Sequence, residues 1–117
     1  MDQSMSTQSV FEHHFQAFKD QDLDAMMEDY SEESLVVTAD GTFKGLDEIR
    51  DMFAGFFEEF SGQYFVESQE EVFEEEVAYF TWVADSPENY YQFGSDTFIV
   101  IDDVIQYQTV AALAHPK

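Results

Sequence analysis

The 117-residue sequence contains no cysteine, which excludes a disulfide framework, a thiolate nucleophile and a thiolate metal site. Basic residues are nearly as scarce. Four Lys and Arg stand against 26 Asp and Glu, giving a formal net charge of -22. Repulsion on that scale excludes nucleic acid and anionic membrane surfaces as partners. No apolar run approaches the roughly 18 residues that a membrane-spanning helix needs. The first ten residues, MDQSMSTQSV, lack the basic and apolar regions of an export signal. A soluble cytoplasmic protein is therefore expected. Internal repeats, linkers and low-complexity tracts are also missing.

What the chain does contain is apolar and aromatic mass. Hydrophobic residues make up 44% and aromatics 17%, with 13 Phe, enough to exclude disorder despite the charge. A chain of this length is one domain, residues 1–117, with a single core and no room for a second, cofactor-binding lobe. Any site must be carved from that core, and no cofactor is expected. The carboxylates are spread along the whole chain instead of forming one tail, which argues against a dedicated dock for a basic partner. Such self-repulsion is tolerable where counter-ions are dense and the Debye length falls to roughly 3 Å at about 1 M salt. The composition is read as adaptation to a salt-rich cytoplasm, as in halophiles.

Phe11, Phe15 and Phe18 follow helical spacing with His14 on the same face, and Ser6, Thr7 or Ser9 could cap this helix, the last with Glu12 as a capping box. A second helix reads Leu23, Met26, Met27 and Tyr30, with Asp22 as its N-cap. Leu35 to Thr38 is a strand, Asp40-Gly41 suits a tight turn, and Gly45 closes the segment. A third helix carries Ile49, Met52, Phe53, Phe56 and Phe60 on one stripe, with Asp47 and Glu48 at its positive end. From Tyr64 the pattern changes to period two. Four strands are expected, Tyr64 to Phe73, Val77 to Ala84, Tyr90 to Ile101 and Val104 to Leu113. Such a meander twists and curls, and helices closing its mouth leave a cavity between them.

Metal binding is not expected. Of three histidines only His13 and His14 are close, and adjacent helix positions point about 100° apart. Glu74-Glu75-Glu76 is read as a solvated hairpin, Asp40 as a turn former, and the sole arginine, Arg50, as lying on the polar side of its helix.

The layout from about Thr7 to Leu113 resembles the cone-shaped α+β fold of the nuclear transport factor 2-like superfamily, which includes ketosteroid isomerases and SnoaL-like polyketide cyclases. The resemblance rests on Asp22-Leu23-Asp24, Ala39-Asp40-Gly41, Gly45-Leu46-Asp47-Glu48-Ile49 and Asp96-Thr97-Phe98. It implies a curved antiparallel or mixed sheet wrapped on three N-terminal helices. Ketosteroid isomerases use a carboxylate base, with a tyrosine and a protonated carboxylic acid at the dienolate oxygen. Laid over this chain, the tyrosine position falls on His14, the base on Thr38 and the acid on Asp96. Only Asp96 matches, and a threonine hydroxyl cannot abstract a carbon acid's proton as a carboxylate can.

The resemblance therefore implies His14 and Asp96 as an acid/base pair for proton transfer, ring closure or dehydration, with Asp96 orienting His14 or sitting protonated. Thr38, Phe18, Phe53, Phe56, Trp82 and Phe98 are the expected pocket lining. The corresponding function is a cofactor-free isomerase, cyclase or dehydratase acting on a hydrophobic carbonyl compound. The alternative is a non-catalytic small-molecule-binding or dimerisation module, with His14 a packed core residue. Relatives commonly dimerise through the outer sheet face, for which Ile99, Ile101, Tyr107 and Thr109 are candidates; a homodimer is expected.

Overall fold

The computed structural model describes residues 3–62 and 64–117. Two helices open the chain, α1 (Gln3–Lys19) and α2 (Leu23–Met27), followed by the hairpin β1 (Leu35–Thr38) and β2 (Gly41–Lys44) and by α3 (Gly45–Glu59). The remainder is a meander of β3 (Phe65–Glu74), β4 (Val77–Asp85), β5 (Asn89–Ile101) and β6 (Val104–Pro116). All six strands form one sheet in the order β2-β1-β6-β5-β4-β3. β1 runs parallel to β6 and every other neighbouring pair is antiparallel. The curved mixed sheet over three helices is the α+β architecture that the pattern predicts.

Local chemistry sets the boundaries. Because α1 begins at Gln3, Ser6, Thr7 and Ser9 lie inside it and do not cap it. Thr7 is buried instead, and its hydroxyl donates to the Glu75 carbonyl at 2.6 Å, fastening the helix to the β3–β4 turn. Asp22 does cap α2, its Oδ1 accepting the Ala25 N–H at 3.1 Å. That helix ends at Met27, a turn earlier than Tyr30, because Glu28, Asp29 and Tyr30 each bond three residues back at 3.2 Å and tighten the chain. Gly45 opens α3 instead of closing the strand, at a φ of +82° that strains any residue with a Cβ. The first turn of α3 is satisfied by acids, with Lys44 N–H donating to Glu48 at 2.9 Å and Leu46 N–H to Glu32 at 3.2 Å.

Register shifts interrupt the ladders between Trp82 and Ala84, Tyr91 and Phe93, and Ile99 and Val100. Bulges of this kind bend a strand and increase its twist, and here they curve β4, β5 and β6 around the helices. Asp102 and Asp103, with φ of 54° and 63°, make the tight β5–β6 turn, whose handedness matches strand twist. The main core gathers Phe11 from α1, Val36 from β1, Ile49 and Phe53 from α3, and Phe80, Phe98, Val100 and Ile105 from the sheet. A smaller cluster gathers Phe60, Ala84 and Tyr91. No helix among the described residues is long and apolar enough to cross a membrane.

Candidate functional site

Alternation decides what the meander turns toward the helices. Phe80 and Trp82 face inward from β4, Gly94, Asp96 and Phe98 from β5, and Gln108 and Val110 from β6. In the ladder Asp96 lies opposite Phe80 on one side and Val110 on the other. Trp82 and Gln108 are therefore its diagonal neighbours, within reach of long side chains. Both use that reach. Trp82 Nε1–H donates to Asp96 Oδ1 at 2.9 Å, and Gln108 Nε2–H donates to Oδ2 at 2.9 Å.

The chain of contacts continues to the helices. Gln108 Oε1 accepts the Tyr30 hydroxyl at 2.5 Å, and the Tyr30 oxygen lies 3.4 Å from His14 Nδ1. Five side chains from α1, the α2–β1 connection and three strands are thereby tied into one buried series. His14 packs edge-on against Phe53 and Phe98, with ring centroids 5.7 and 5.3 Å away. Its Nε2 has no hydrogen-bond partner among the described residues.

His14, Asp96 and Trp82 are the polar side chains lining a cavity of about 60 Å³, otherwise walled by Phe15, Phe18, Phe53, Phe56, Phe60, Val66, Phe80 and Val110. Burial in this apolar shell disfavours charge and acts on both titratable groups. It raises the Asp96 carboxyl from 3.8 to about 6, against the opposing pull of the hydrogen bonds from Trp82 and Gln108. It lowers His14 from 6.5 to about 3, assisted by the neighbouring His13, so His14 is neutral at pH 7. Burial and the nearby Asp96 and Asp29 carboxylates push the Tyr30 hydroxyl well above 10, so it remains protonated. Near neutrality the cavity thus holds a carboxylate able to take up a proton and an uncharged imidazole.

Of the residues read from the sequence, His14, Asp96, Phe18, Phe53, Phe56 and Trp82 all border this one cavity. Thr38 does not. It ends β1, where its hydroxyl accepts the Asp40 N–H at 3.1 Å, and it lines a separate, open groove of about 550 Å³. Phe98 is 1% exposed and packs against His14, Phe11 and Phe80 without reaching the cavity, which β5 borders through Asp96. Asp96 does not orient His14 directly either; Gln108 and Tyr30 stand between them. Those two residues complete the series and carry no motif. Their sequence signals are a polar side chain at an inward strand position and a tyrosine on the apolar stripe of a helix.

The neighbouring groups serve other ends. His13 is 45% exposed and bonds Asp29 at 2.8 Å, outside the cavity, and Arg50 pairs with Asp24 on the surface. The outer groove meets the inner cavity at Phe56 and Val110, which line both. Beyond them Glu59 accepts from Tyr91 at 2.7 Å, Ser86 at 2.8 Å and Asn89 at 2.9 Å, fixing the end of α3 to the sheet.

None of the curated proteins is close enough in sequence to count as a match. Similar solved structures include a candidate ketosteroid isomerase from Kribbella flavida, 10% identical over 97% of this chain and 82% of the other, with a TM-score of 0.82. A candidate polyketide cyclase from Sinorhizobium meliloti is 17% identical over 92% of this chain and 97% of its own, with a TM-score of 0.77. A nuclear transport factor 2-like protein from Cytophaga hutchinsonii is 9% identical over 92% and 89% respectively, with a TM-score of 0.76. At these identities the likeness is one of fold. The sequence itself matches the SnoaL-like domain over residues 11–111, nearly its whole length, and the chain belongs to that family.

Proposed function

We propose that this protein is a cofactor-free isomerase, cyclase or dehydratase that moves a proton within a hydrophobic carbonyl compound held in the inner cavity. The observation that carries the reading is Asp96, a carboxylate buried among aromatic rings yet bordering the cavity, with its titration raised to about 6. A base is most useful when it titrates near the working pH, and an apolar site strengthens it toward a weakly acidic carbon. Asp96 takes the proton from one atom of the ligand and returns it to another. His14 accepts the hydroxyl hydrogen of the ligand's enol form, and Phe18, Phe53, Phe56 and Trp82 enclose its apolar body. Thr38 has no part in the proton transfer.

The reading is tested by incubating small acyclic enolisable ketones, such as acetone and butanone, with the protein in D₂O and following loss of the carbon-bound proton by NMR. Exchange accelerated by the wild type and abolished in Asp96→Asn is the expected result. Binding without any accelerated exchange would leave a non-catalytic small-molecule-binding module.

A second copy of the chain is the proposed macromolecular partner. On the outer sheet face Ile101 is 45% and Tyr107 48% exposed, with Val37, at 40%, beside Thr109 on the adjoining strand. An apolar face of this kind is unusual in so acidic a protein and suits an isologous contact. Sedimentation of the wild type as a dimer and of Tyr107→Glu as a monomer would support it; a monomeric wild type would remove it.

A further inference from the structure

We propose that the cavity selects a ligand presenting a hydroxyl hydrogen, a phenol or an enol, over one offering only a carbonyl oxygen. This rests on the reading of the inner cavity as the ligand site, and it follows from the direction of the hydrogen bonds that run through it.

The direction is fixed from one end. An indole N–H can only donate, and an ionised carboxylate can only accept. Asp96 Oδ1 receives Trp82 Nε1–H, and Oδ2 must likewise be met by a donor, which sets the Gln108 amide with its NH₂ toward Asp96. Gln108 Oε1 then faces Tyr30 and accepts, so the Tyr30 hydroxyl hydrogen is committed to it at 2.5 Å. The remaining face of the Tyr30 oxygen is an acceptor, and the group beside it at 3.4 Å is His14 Nδ1. A neutral imidazole carries one proton, and here that proton belongs on Nδ1. Nε2 is left as a lone pair without a partner among the described residues.

The consequence appears at the cavity wall. Its polar side chains are His14, Trp82 and Asp96, and their two donors are already spent, the Trp82 N–H on Asp96 and the His14 Nδ1–H on the Tyr30 oxygen. What remains are the His14 Nε2 lone pair and the unused lone pairs of the Asp96 carboxylate. A ligand oxygen bearing a hydrogen satisfies such an acceptor, whereas a bare carbonyl oxygen meets only like partial charge. Sites that leave a buried polar group unpaired discriminate strongly, because the lost hydrogen bond is not replaced by water.

The same logic predicts a reversal. In Asp96→Asn the amide oxygen must still face the Trp82 N–H, so its NH₂ faces Gln108. Gln108 turns over, presents its own NH₂ to Tyr30, and releases the Tyr30 hydroxyl to donate to His14 Nδ1. The imidazole proton then belongs on Nε2, and the cavity gains a donor.

Long-range ¹H–¹⁵N correlation spectra of ¹⁵N-histidine protein at pH 7 read this directly, with the His14 signals assigned by their loss in His14→Gln. The expected wild-type pattern is a protonated Nδ1 with a pyridine-type Nε2, inverted in Asp96→Asn. A wild-type Nε2–H tautomer, an imidazolium, or no change in the variant would overturn the proposal. A ligand arm uses Phe56→Ala to make room for a ring. Phenol should bind it at least tenfold more tightly than anisole, and equal affinity, or no phenol binding, would also count against the proposal. The two readings fail separately: phenol selection without carbon-proton exchange removes only the proton-transfer function, and exchange with the opposite tautomer removes only this inference.

Discussion

The Trp82 indole lies across Gly94, so closely that a Cβ built there would fall 2.2 Å from Trp82 Cε2 and 2.3 Å from Cζ2. The two residues face each other in the β4–β5 ladder, and the absent side chain is what lets the indole lie flat with Nε1 at Asp96. Gly94→Ala is expected to displace the ring, free Asp96 Oδ1 from its donor and destabilise the fold by about 1–3 kcal/mol, the usual range for overpacking. Urea unfolding together with tryptophan fluorescence measures both effects. Because Trp82 is the sole tryptophan, an unchanged emission spectrum would show that the indole had not moved.

Asp96 also gives stability a particular pH dependence. Its carboxyl titrates near 6 in the folded chain against 3.8 as a free group, because burial penalises its charge. The folded state therefore holds a proton that the unfolded chain has released between those values. The stability gained from that protonated form is complete below 3.8 and is lost as pH rises through 6. At about 1.4 kcal/mol per pH unit, the loss amounts to about 3 kcal/mol by pH 7. Asp96→Asn has no such titration, so the difference in stability between variant and wild type should grow in the variant's favour by that amount from pH 3 to pH 7. A constant difference in urea midpoints across this range would mean that the carboxyl is not desolvated.

How far the sequence reaches is visible at individual positions. Phe11, Phe15 and Phe18 are legible because helical spacing is local, and Asp96 because its strand alternates cleanly through Phe98 and Val100. Gln108 is not. The register shift between Ile99 and Val100 sets Val100 opposite Ile105 but Ile99 opposite Tyr107, so β6 changes phase around Gln106, and period two cannot be carried across it from Ile105 to Gln108. Counting along the chain to a family position reaches Thr38, whereas its environment depends on where β1 meets its turn. The direction of the hydrogen bonds from Trp82 to His14 lies beyond any one-dimensional pattern, because it joins residues 78 positions apart.

Phe56 controls how large a ligand the site takes. At about 60 Å³ the inner cavity is less than half the roughly 150 Å³ that accommodates benzene. Phe56 and Val110 separate it from the outer groove of about 550 Å³. Phe56→Ala should join the two into a chamber of the size that drug-like ligands occupy, at a cost of about 2 kcal/mol for a half-buried ring. Toluene and naphthalene should then raise the melting temperature of the variant and leave that of the wild type nearly unchanged. Equal shifts in both proteins would show that the ring already moves aside freely.

Salt dependence follows from where the charge sits. Among the described residues only Asp29 and Asp96 of the acidic side chains are buried, and the ion pairs of Arg50 with Asp24 and Lys117 with Asp85 neutralise little of a net -22. Glu67, Glu70, Glu71 and Glu74 are all exposed on β3, an edge strand whose charge also discourages pairing with another sheet. Raising KCl from 0.15 M to 1 M shortens the Debye length from about 8 Å to about 3 Å and relieves this repulsion in the compact state. The melting temperature should climb through that whole range, beyond where ordinary proteins level off. Replacing the four β3 glutamates by glutamine should flatten the climb while raising stability at low salt. A parallel climb in wild type and variant would assign the salt effect to apolar burial, and the acidic surface would then be no adaptation of the folded state to salt.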